Sequence, residues 1–326
     1  MVKVIEFHDA IKDTEEQDRA LLVGNGFSSK YFKYESLLAA SELKEGEPLR
    51  KLFAALKTFD FESVVRALES AAVVESAYGH DVHAIEMAEH AREVREALVK
   101  AINATHPAHR NEIASECESG ASFLNHFGTV FSLNYDLLLY WVNLEKTKLN
   151  DGFGLGETTA DLRFHGPFIE AAYCHIFNLH GSLHLFESDA GEVFKALNTD
   201  DGVIATITHA ITNKHQLPLY VAEGTSRAKM QKINSVDYRR HCYAKLNENA
   251  ASVFVFGHSA DDNDAHIYRA IFASRAKHVY FGVFEPNEEK LRNLDGQLSK
   301  YKKIGGKDVS YSFYDSASAY VWDQPK

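Results

Sequence analysis

Cysteine is scarce in this sequence. The 326 residues contain three, Cys117, Cys174 and Cys242, and no two of them form a C-x-x-C pair. A four-cysteine zinc module needs more cysteines than the chain has, so that class of site is excluded within it. Three widely spaced cysteines fit a reducing compartment rather than a disulfide-stabilised secreted domain, and we expect a cytoplasmic protein.

Positive charge and long apolar runs are also lacking. Lysine and arginine number 35 against 46 aspartate and glutamate, so the formal net charge is −11. Because no long basic run offsets this balance, we do not expect direct binding to a nucleic acid backbone. No apolar stretch approaches ~18 residues, and no leader pattern of a charged segment before an apolar one opens the chain. We therefore expect a soluble protein without a membrane partner.

A glycine turn follows the first apolar run of the sequence. Leu21 to Val23 reads as a buried strand, and it ends on Gly24-Asn25-Gly26. Without a Cβ, the two glycines let the backbone approach a ligand closely. A helix predicted from Phe27 to Tyr31 would then direct its N-terminal N–H groups at a phosphate. The alternative is a tight turn without a ligand, since Ser29 stands where the dinucleotide fingerprint has its third glycine.

Strand-like and helical segments alternate along the chain. Apolar residues at helical spacing run from Leu49 to about Phe127, and we predict a helical insertion over residues 45–127 of a single domain, 1–326. The further predicted strands are Thr129–Leu133, His175–Leu179, Leu217–Ala222, Ser252–Phe256, Val279–Phe284 and Val309–Tyr314. This alternation predicts an α/β fold with a Rossmann-like, mostly parallel sheet covered on both faces.

Polar residues follow four of the predicted strands. The first of these polar segments is Gly24-Asn25-Gly26. The other three are Asn134-Tyr135-Asp136, His180-Gly181-Ser182 and Gly257-His258-Ser259. In an open parallel sheet, ligands bind beyond the carboxyl ends of the strands. We therefore expect these four segments to line one crevice. The histidines of the helical insertion show no consistent ligand spacing, and we predict no metal site.

Each of these residues also has a structural explanation. Asn134 could be a turn residue or a helix N-cap, and Asp136 would stabilise the first turn of a helix without any ligand. His180 could be a structural histidine in a turn. Ser259 begins an acidic run that is typical of a helix N-terminus, so capping competes with ligand binding there. His165-Gly166 repeats the dipeptide of His180-Gly181, but no comparable strand precedes it.

The motifs GNGFS, SLNYD, NLHGSLHLF and VFVFGHS, in this order, resemble the sirtuin-type NAD-binding fold, and specifically a bacterial sirtuin-like branch. The resemblance covers about Leu21 to Phe284 and implies chemistry at the bond between nicotinamide and ribose. Two departures are the missing four-cysteine zinc ribbon of the family's protein deacylases and the helical insertion. Both favour NAD hydrolysis, an activity known among sirtuin-like proteins of bacterial anti-phage defence.

The resemblance also implies roles for individual residues. His180 matches the catalytic histidine, Asn134 the residue that positions ribose or water, and Asp136 the acid near nicotinamide. The residues that match the nucleotide-binding turns, or adjoin the matched positions, are Gly24, Asn25, Gly26, Ser28, Gly181, Gly257 and Ser259.

Together these inferences predict an NAD glycohydrolase that uses NAD as its substrate and needs no metal. Two alternatives use the same crevice: a module that senses NAD or ADP-ribose without turnover, and an ADP-ribosyltransferase. The sirtuin-like resemblance also raises the expectation of a homo-oligomer or of a defence-system protein as partner.

Overall fold

The computed structural model describes residues 3–32, 37–154, 161–170, 173–221 and 224–323. Its strands are β1 (Val4–Glu6), β2 (Arg19–Val23), β3 (Thr129–Ser132), β4 (Phe164–His165), β5 (Ile176–Asn178), β6 (Gly181–Glu187), β7 (Val193–Ala196), β8 (Pro218–Tyr220), β9 (Ser252–Phe256), β10 (His278–Val283) and β11 (Ser310–Asp315). Its helices are α1 (Phe7–Asp13), α2 (Leu37–Ala40), α3 (Pro48–Leu56), α4 (Phe61–Ala77), α5 (Asp81–Thr105), α6 (Ala114–Leu124), α7 (Leu138–Asn143), α8 (Val203–Asn213), α9 (Ser226–Asn234), α10 (Asp237–Glu248), α11 (Ala265–Ala273) and α12 (Glu288–Gly305).

The main sheet is parallel throughout. Within the described ranges it has seven strands in the order β1-β11-β10-β9-β2-β3-β5. Numbered from β2 onward and without β1, this order is 3-2-1-4-5-6, the doubly wound arrangement. The predicted α/β fold with a Rossmann-like, mostly parallel sheet is confirmed. Its central strands are mostly apolar and almost wholly buried because both faces of the sheet are covered.

The point where the strand order reverses lies between β2 and β9. These two strands pair in register, with Val23 beside Phe256 at their carboxyl ends. On the other side of β2, Val23 pairs with Ser132 of β3. Three of the four predicted polar segments therefore leave the sheet at the same level, where a ligand crevice forms in this fold.

A second, antiparallel sheet was not predicted from the sequence. It has the order β4-β7-β6-β8, and β6 follows β5 directly through His180. The predicted strand Leu217–Ala222 exists as β8, but it belongs to this sheet and runs antiparallel to β6. Ala222 itself lies outside the described residues. The alternation of strand-like and helical segments predicted a single sheet. The residue pattern of one short strand does not show which other strand it pairs with.

Helices fill the segment between β2 and β3. The predicted insertion over residues 45–127 contains α3 to α6, and α4 packs along α5 as an antiparallel hairpin. Val64 and Leu68 of α4 and Val94 and Leu98 of α5 are buried in this contact. Among the described helices, none is both long enough and apolar enough to cross a bilayer.

One local prediction was wrong. The helix expected from Phe27 to Tyr31 is a 3₁₀ turn at Asn25–Phe27 followed by a turn that bonds the N–H of Phe32 to the carbonyl of Ser28. Strand β1, which pairs in parallel with β11 at the edge of the main sheet, was not predicted. Its three residues, Val4 to Glu6, are too few to show strand periodicity.

Candidate active site

The two glycine turns at the reversal point are in direct contact. The N–H of Gly26 donates to the carbonyl of Gly257 at 2.7 Å, and the N–H of Gly24 donates to Phe256 at 2.9 Å. A Cβ at Gly26 would lie 2.6 Å from the Cα of Gly257, which itself has a φ of +69°. Glycine at these positions is therefore required for the two backbones to touch. Because both N–H groups are used in this contact, they are not available to a phosphate.

Asn134 ties the end of β3 to the first glycine turn. Its Nδ2 donates to the carbonyl of Gly24 and to Oγ of Ser28, both at 3.1 Å. The side chain is buried, and its Oδ1 has no hydrogen-bond partner among the described residues. The structure thus brings three predicted residues together, in a layer that supports the crevice.

A crevice of about 640 Å³ opens beside these turns. Four of the predicted residues line it, namely Asn25, His180, Gly257 and Ser259. The other six, Gly24, Gly26, Ser28, Asn134, Asp136 and Gly181, are not among its lining residues. All four segments contribute a residue to the lining of the crevice, although six of the ten predicted residues do not line it.

His180 is buried where it lines the crevice, with 4% of its surface exposed. Its Nε2 lies 3.5 Å from Nε2 of His266 and 3.7 Å from Oδ1 of Asp264. Burial lowers the pKa of His180 to about 3, although the charge of Asp264 acts in the opposite direction. The imidazole is therefore neutral at pH 7 and can accept a hydrogen bond or a proton.

Asp264 is the functional candidate that the sequence analysis missed. Its Oδ1 lies 2.8 Å from Nζ of Lys229, and its Oδ2 lies 3.3 Å from Nε2 of His258. Burial alone would raise the pKa of Asp264, but the hydrogen bond from His258 and the nearby Lys229 hold it below its usual value. An ionised carboxylate therefore lines the crevice next to His180.

The protonation of His258 follows from its backbone contact. The N–H of Ala260 donates to Nδ1 of His258 at 2.9 Å, so the neutral ring carries its proton on Nε2 and donates it to Asp264. The hydroxyl of Tyr268 lies 2.7 Å from the same Nδ1. These contacts fix the orientation of the carboxylate beside His180.

Asp136 and Gly181 have clear structural contacts. Oδ1 of Asp136 accepts the N–H of Leu138 at 2.8 Å, at the start of α7. Gly181 has a φ of +70°, and a Cβ there would lie 1.9 Å from the carbonyl oxygen of Leu219. Ser259 is exposed in the crevice and donates to Oδ2 of Asp261 at 2.6 Å, a contact between side chains rather than the backbone N–H contact of a helix cap.

Two groups of side chains have donor atoms close enough to share a metal ion. One is His180, Asp264 and His266, and the other is the partly exposed Glu75, His80 and His83 at the tip of the α4–α5 hairpin. In the first group the Lys229 ammonium already contacts the carboxylate oxygen nearest His180. A divalent ion would therefore have to compete with this ammonium.

Buried histidines should make the fold sensitive to mild acid. Burial lowers the pKa of His180 and His184 to about 3 and that of His266 to about 4. Below pH 6.5 the unfolded chain binds protons at these positions while the folded chain does not, so folding free energy is lost as pH falls toward 4. We expect a loss of up to about 1.4 kcal/mol per pH unit for each histidine.

Urea unfolding at pH 7.5, 6.5, 5.5 and 5.0 would measure this dependence, above the range where most carboxylates titrate. The His184→Gln variant, altered outside the crevice, should reduce the slope by the contribution of one histidine, up to about 1.4 kcal/mol per pH unit. An unfolding free energy that stays constant from pH 7.5 to 5.0 would contradict the prediction.

Comparisons with known proteins identify a family for this chain and similar solved structures. Residues 21–322 match the model of a family described as Domain of unknown function (DUF4917). Among curated proteins there is no match. One similar solved structure is a triple mutant of a Sir2 homologue in complex with 2'-O-acetyl ADP-ribose, with 12% sequence identity and a TM-score of 0.34 over 92% of this chain and 98% of that chain. The match over residues 21–322 spans nearly the whole sequence, and the chain belongs to the DUF4917 family.

Proposed function

We propose that the crevice binds NAD and hydrolyses the bond between nicotinamide and ribose, releasing nicotinamide and ADP-ribose. The observation that carries this proposal is the meeting of the Gly24–Gly26 and Gly257–Ser259 turns beside His180 and Asp264. The strand order places this meeting point where doubly wound folds bind dinucleotides. The sirtuin-like order of the four sequence motifs supports the choice of ligand.

The charges in the crevice suit the cationic end of NAD. Breaking the glycosidic bond leaves a ribose with oxocarbenium character, so positive charge develops at the reacting carbon. The ionised Asp264 is held by Lys229 and His258 and would stabilise that charge without reorganising. We assign this electrostatic role at the ribose to Asp264. A role for Asp136 at nicotinamide remains a prediction.

His180 would accept the proton of the attacking water or of a ribose hydroxyl. Its neutral imidazole is competent for this, and the imidazolium that forms would lie beside the Asp264 carboxylate, 3.7 Å away. Asn134 would hold the first glycine turn in place through Gly24 and Ser28. Its unpaired Oδ1 is the atom through which it would meet ribose or water if the crevice closes around a ligand.

A binding-only function is the second candidate, and one observation favours it. A pKa of about 3 makes His180 a weak base at neutral pH, whereas general bases work best near the operating pH. A sensor of NAD or ADP-ribose would need the crevice but not a proton acceptor. The role in bacterial anti-phage defence and the oligomer or partner protein rest on the motif resemblance and belong to the same proposal.

Incubation of the purified chain with NAD separates these functions. Hydrolysis predicts equal amounts of nicotinamide and free ADP-ribose by liquid chromatography. Saturable binding by calorimetry without product would indicate a sensor, and label from NAD retained on protein would indicate transfer.

The Asn134→Ala variant tests the link between β3 and the first glycine turn. We expect it to release nicotinamide at least about 10-fold more slowly, because it removes two hydrogen bonds that fix the turn. Asn125→Ala is a matched control, since its exposed amide donates to the carbonyl of Lys146, away from the crevice. Equal rates for Asn134→Ala and the wild type would remove Asn134 from the site.

A further inference from the structure

A second cavity of about 430 Å³ adjoins the crevice. It lies between the start of α4, the helices α9 and α10, and the end of β6. Val221 and Lys229 line both spaces, so the two are neighbours that share a wall. Neither the sequence motifs nor the proposed NAD chemistry uses the remaining lining residues of this second cavity.

Arg239 is the unusual residue of the second cavity. Only 1% of its surface is exposed, yet no carboxylate of the described residues lies within 4.0 Å of its guanidinium. One terminal nitrogen donates to the carbonyl of Tyr220 at 3.4 Å and the other to Oγ of Ser235 at 3.2 Å, while Nε has no partner. Arginine has five N–H donors, and a buried unpaired cation is costly.

The acidic residues of the same cavity are paired with other cations. Nζ of Lys232 lies 2.6 Å from Asp60 and 3.1 Å from Glu62. Arg66 also contacts Glu62, at 2.7 Å. The remaining acid, Glu187, has its pKa raised by burial, although the charge of Arg239 acts in the opposite direction. Burial likewise lowers the pKa of Arg239, against the charges of Glu62, Glu187 and Asp60, none of which is in direct contact with its guanidinium.

We propose that the second cavity is a binding site for a small anion, a carboxylate or a phosphate group, with Arg239 as its main ligand. The planar guanidinium suits bidentate binding of either group. The bound anion would supply the missing partner of a cation that the fold buries. Because the chain carries a net charge of −11, its overall field repels anions, and binding has to come from this local cation. The proposal does not depend on NAD hydrolysis.

Titration calorimetry of the wild-type chain with inorganic phosphate, and separately with acetate, tests the site and distinguishes the two groups. We expect one of them to bind saturably in the millimolar range or tighter. Arg239→Gln should weaken that binding by about 10- to 100-fold, the loss expected for a charge-assisted hydrogen-bonding partner. Arg66→Gln removes a positive charge from the exposed rim of the same cavity and should change the affinity less than about 3-fold.

Two results would overturn the inference. One is a wild-type chain that binds neither anion saturably, a measurement that needs no variant. The other is an equal loss of affinity in Arg239→Gln and Arg66→Gln, which would indicate diffuse attraction rather than a site. If Arg239→Gln does not fold, Arg239→Lys is the alternative variant. It keeps the positive charge but loses the planar guanidinium, and it should still weaken anion binding measurably. Nicotinamide release is measured without added anion, so failure of this site and failure of the proposed function are separate results.

Discussion

Replacing His180 with alanine is expected to lower the rate of nicotinamide release by about 10²- to 10⁴-fold, the usual contribution of a positioned proton acceptor. The imidazole lines the crevice next to Asp264, and burial keeps it neutral at pH 7. Alanine would also leave His266 without its 3.5 Å partner. Initial rates of nicotinamide release at saturating NAD measure the effect on kcat directly.

His165→Ala is the matched control for this experiment. His165 also precedes a glycine, but it lies on β4 of the antiparallel sheet and is not among the residues that line the crevice. The control should release nicotinamide at the wild-type rate. His180→Gln, which keeps a hydrogen-bonding side chain of similar size, should fold like the wild type and remain slow. A His180→Ala rate within about 3-fold of the wild type would exclude proton transfer by this residue.

Gly257→Ala should destabilise the protein by about 2 to 5 kcal/mol. Gly257 has a φ of +69°, which costs an alanine about 1–2 kcal/mol. The added Cβ would lie 2.5 Å from the backbone nitrogen of Phe27 and 2.7 Å from the carbonyl carbon of Gly26. Relieving such contacts between backbone atoms costs about 1–3 kcal/mol more. Urea unfolding monitored by circular dichroism measures the change.

Gly296→Ala is a control variant that should stabilise the protein rather than destabilise it. Gly296 lies within α12, and a Cβ there would meet nothing within 4 Å. Alanine is the better helix former, so this variant should gain about 0.5–1 kcal/mol. If Gly257→Ala unfolded at the wild-type urea concentration, the two glycine turns would not be in the close contact described above, and nucleotide binding at their junction would lose its basis.

Most of the main sheet was predictable because its strands are apolar runs that end on polar turns. Ser252–Phe256 was predicted with the bounds that β9 has, and the other predicted strands of the main sheet differ by one residue at one or both ends or by two at one end. The helix after Gly26 was not found, because the backbone there is held by Gly257, a residue far away in sequence. Local patterns do not contain such contacts.

Asp264 is a second example of a residue whose long-range contacts could not be predicted from the local sequence pattern. It was grouped with Asp261, Asp262 and Asn263 as part of a helix N-terminus, and a 3₁₀ turn does begin the helix there. A helix N-cap needs only one side chain. The additional acidic residues of this run therefore indicated that one of them could have another role. Its second role became visible only when Lys229, His258 and His180 were seen around it. These residues converge through the strand order rather than through sequence spacing.

The pairing of β1 with β11 has a consequence for how the polypeptide comes apart. Val4 pairs with Phe313, and the N–H of Phe7 donates to Oγ of Ser318 at 2.8 Å. The segments that contain β1 and β11 therefore stabilise each other. If β1 unfolds, β11 loses its neighbouring strand on that side. The two extremities therefore form one cooperative unit, despite standing more than three hundred positions apart.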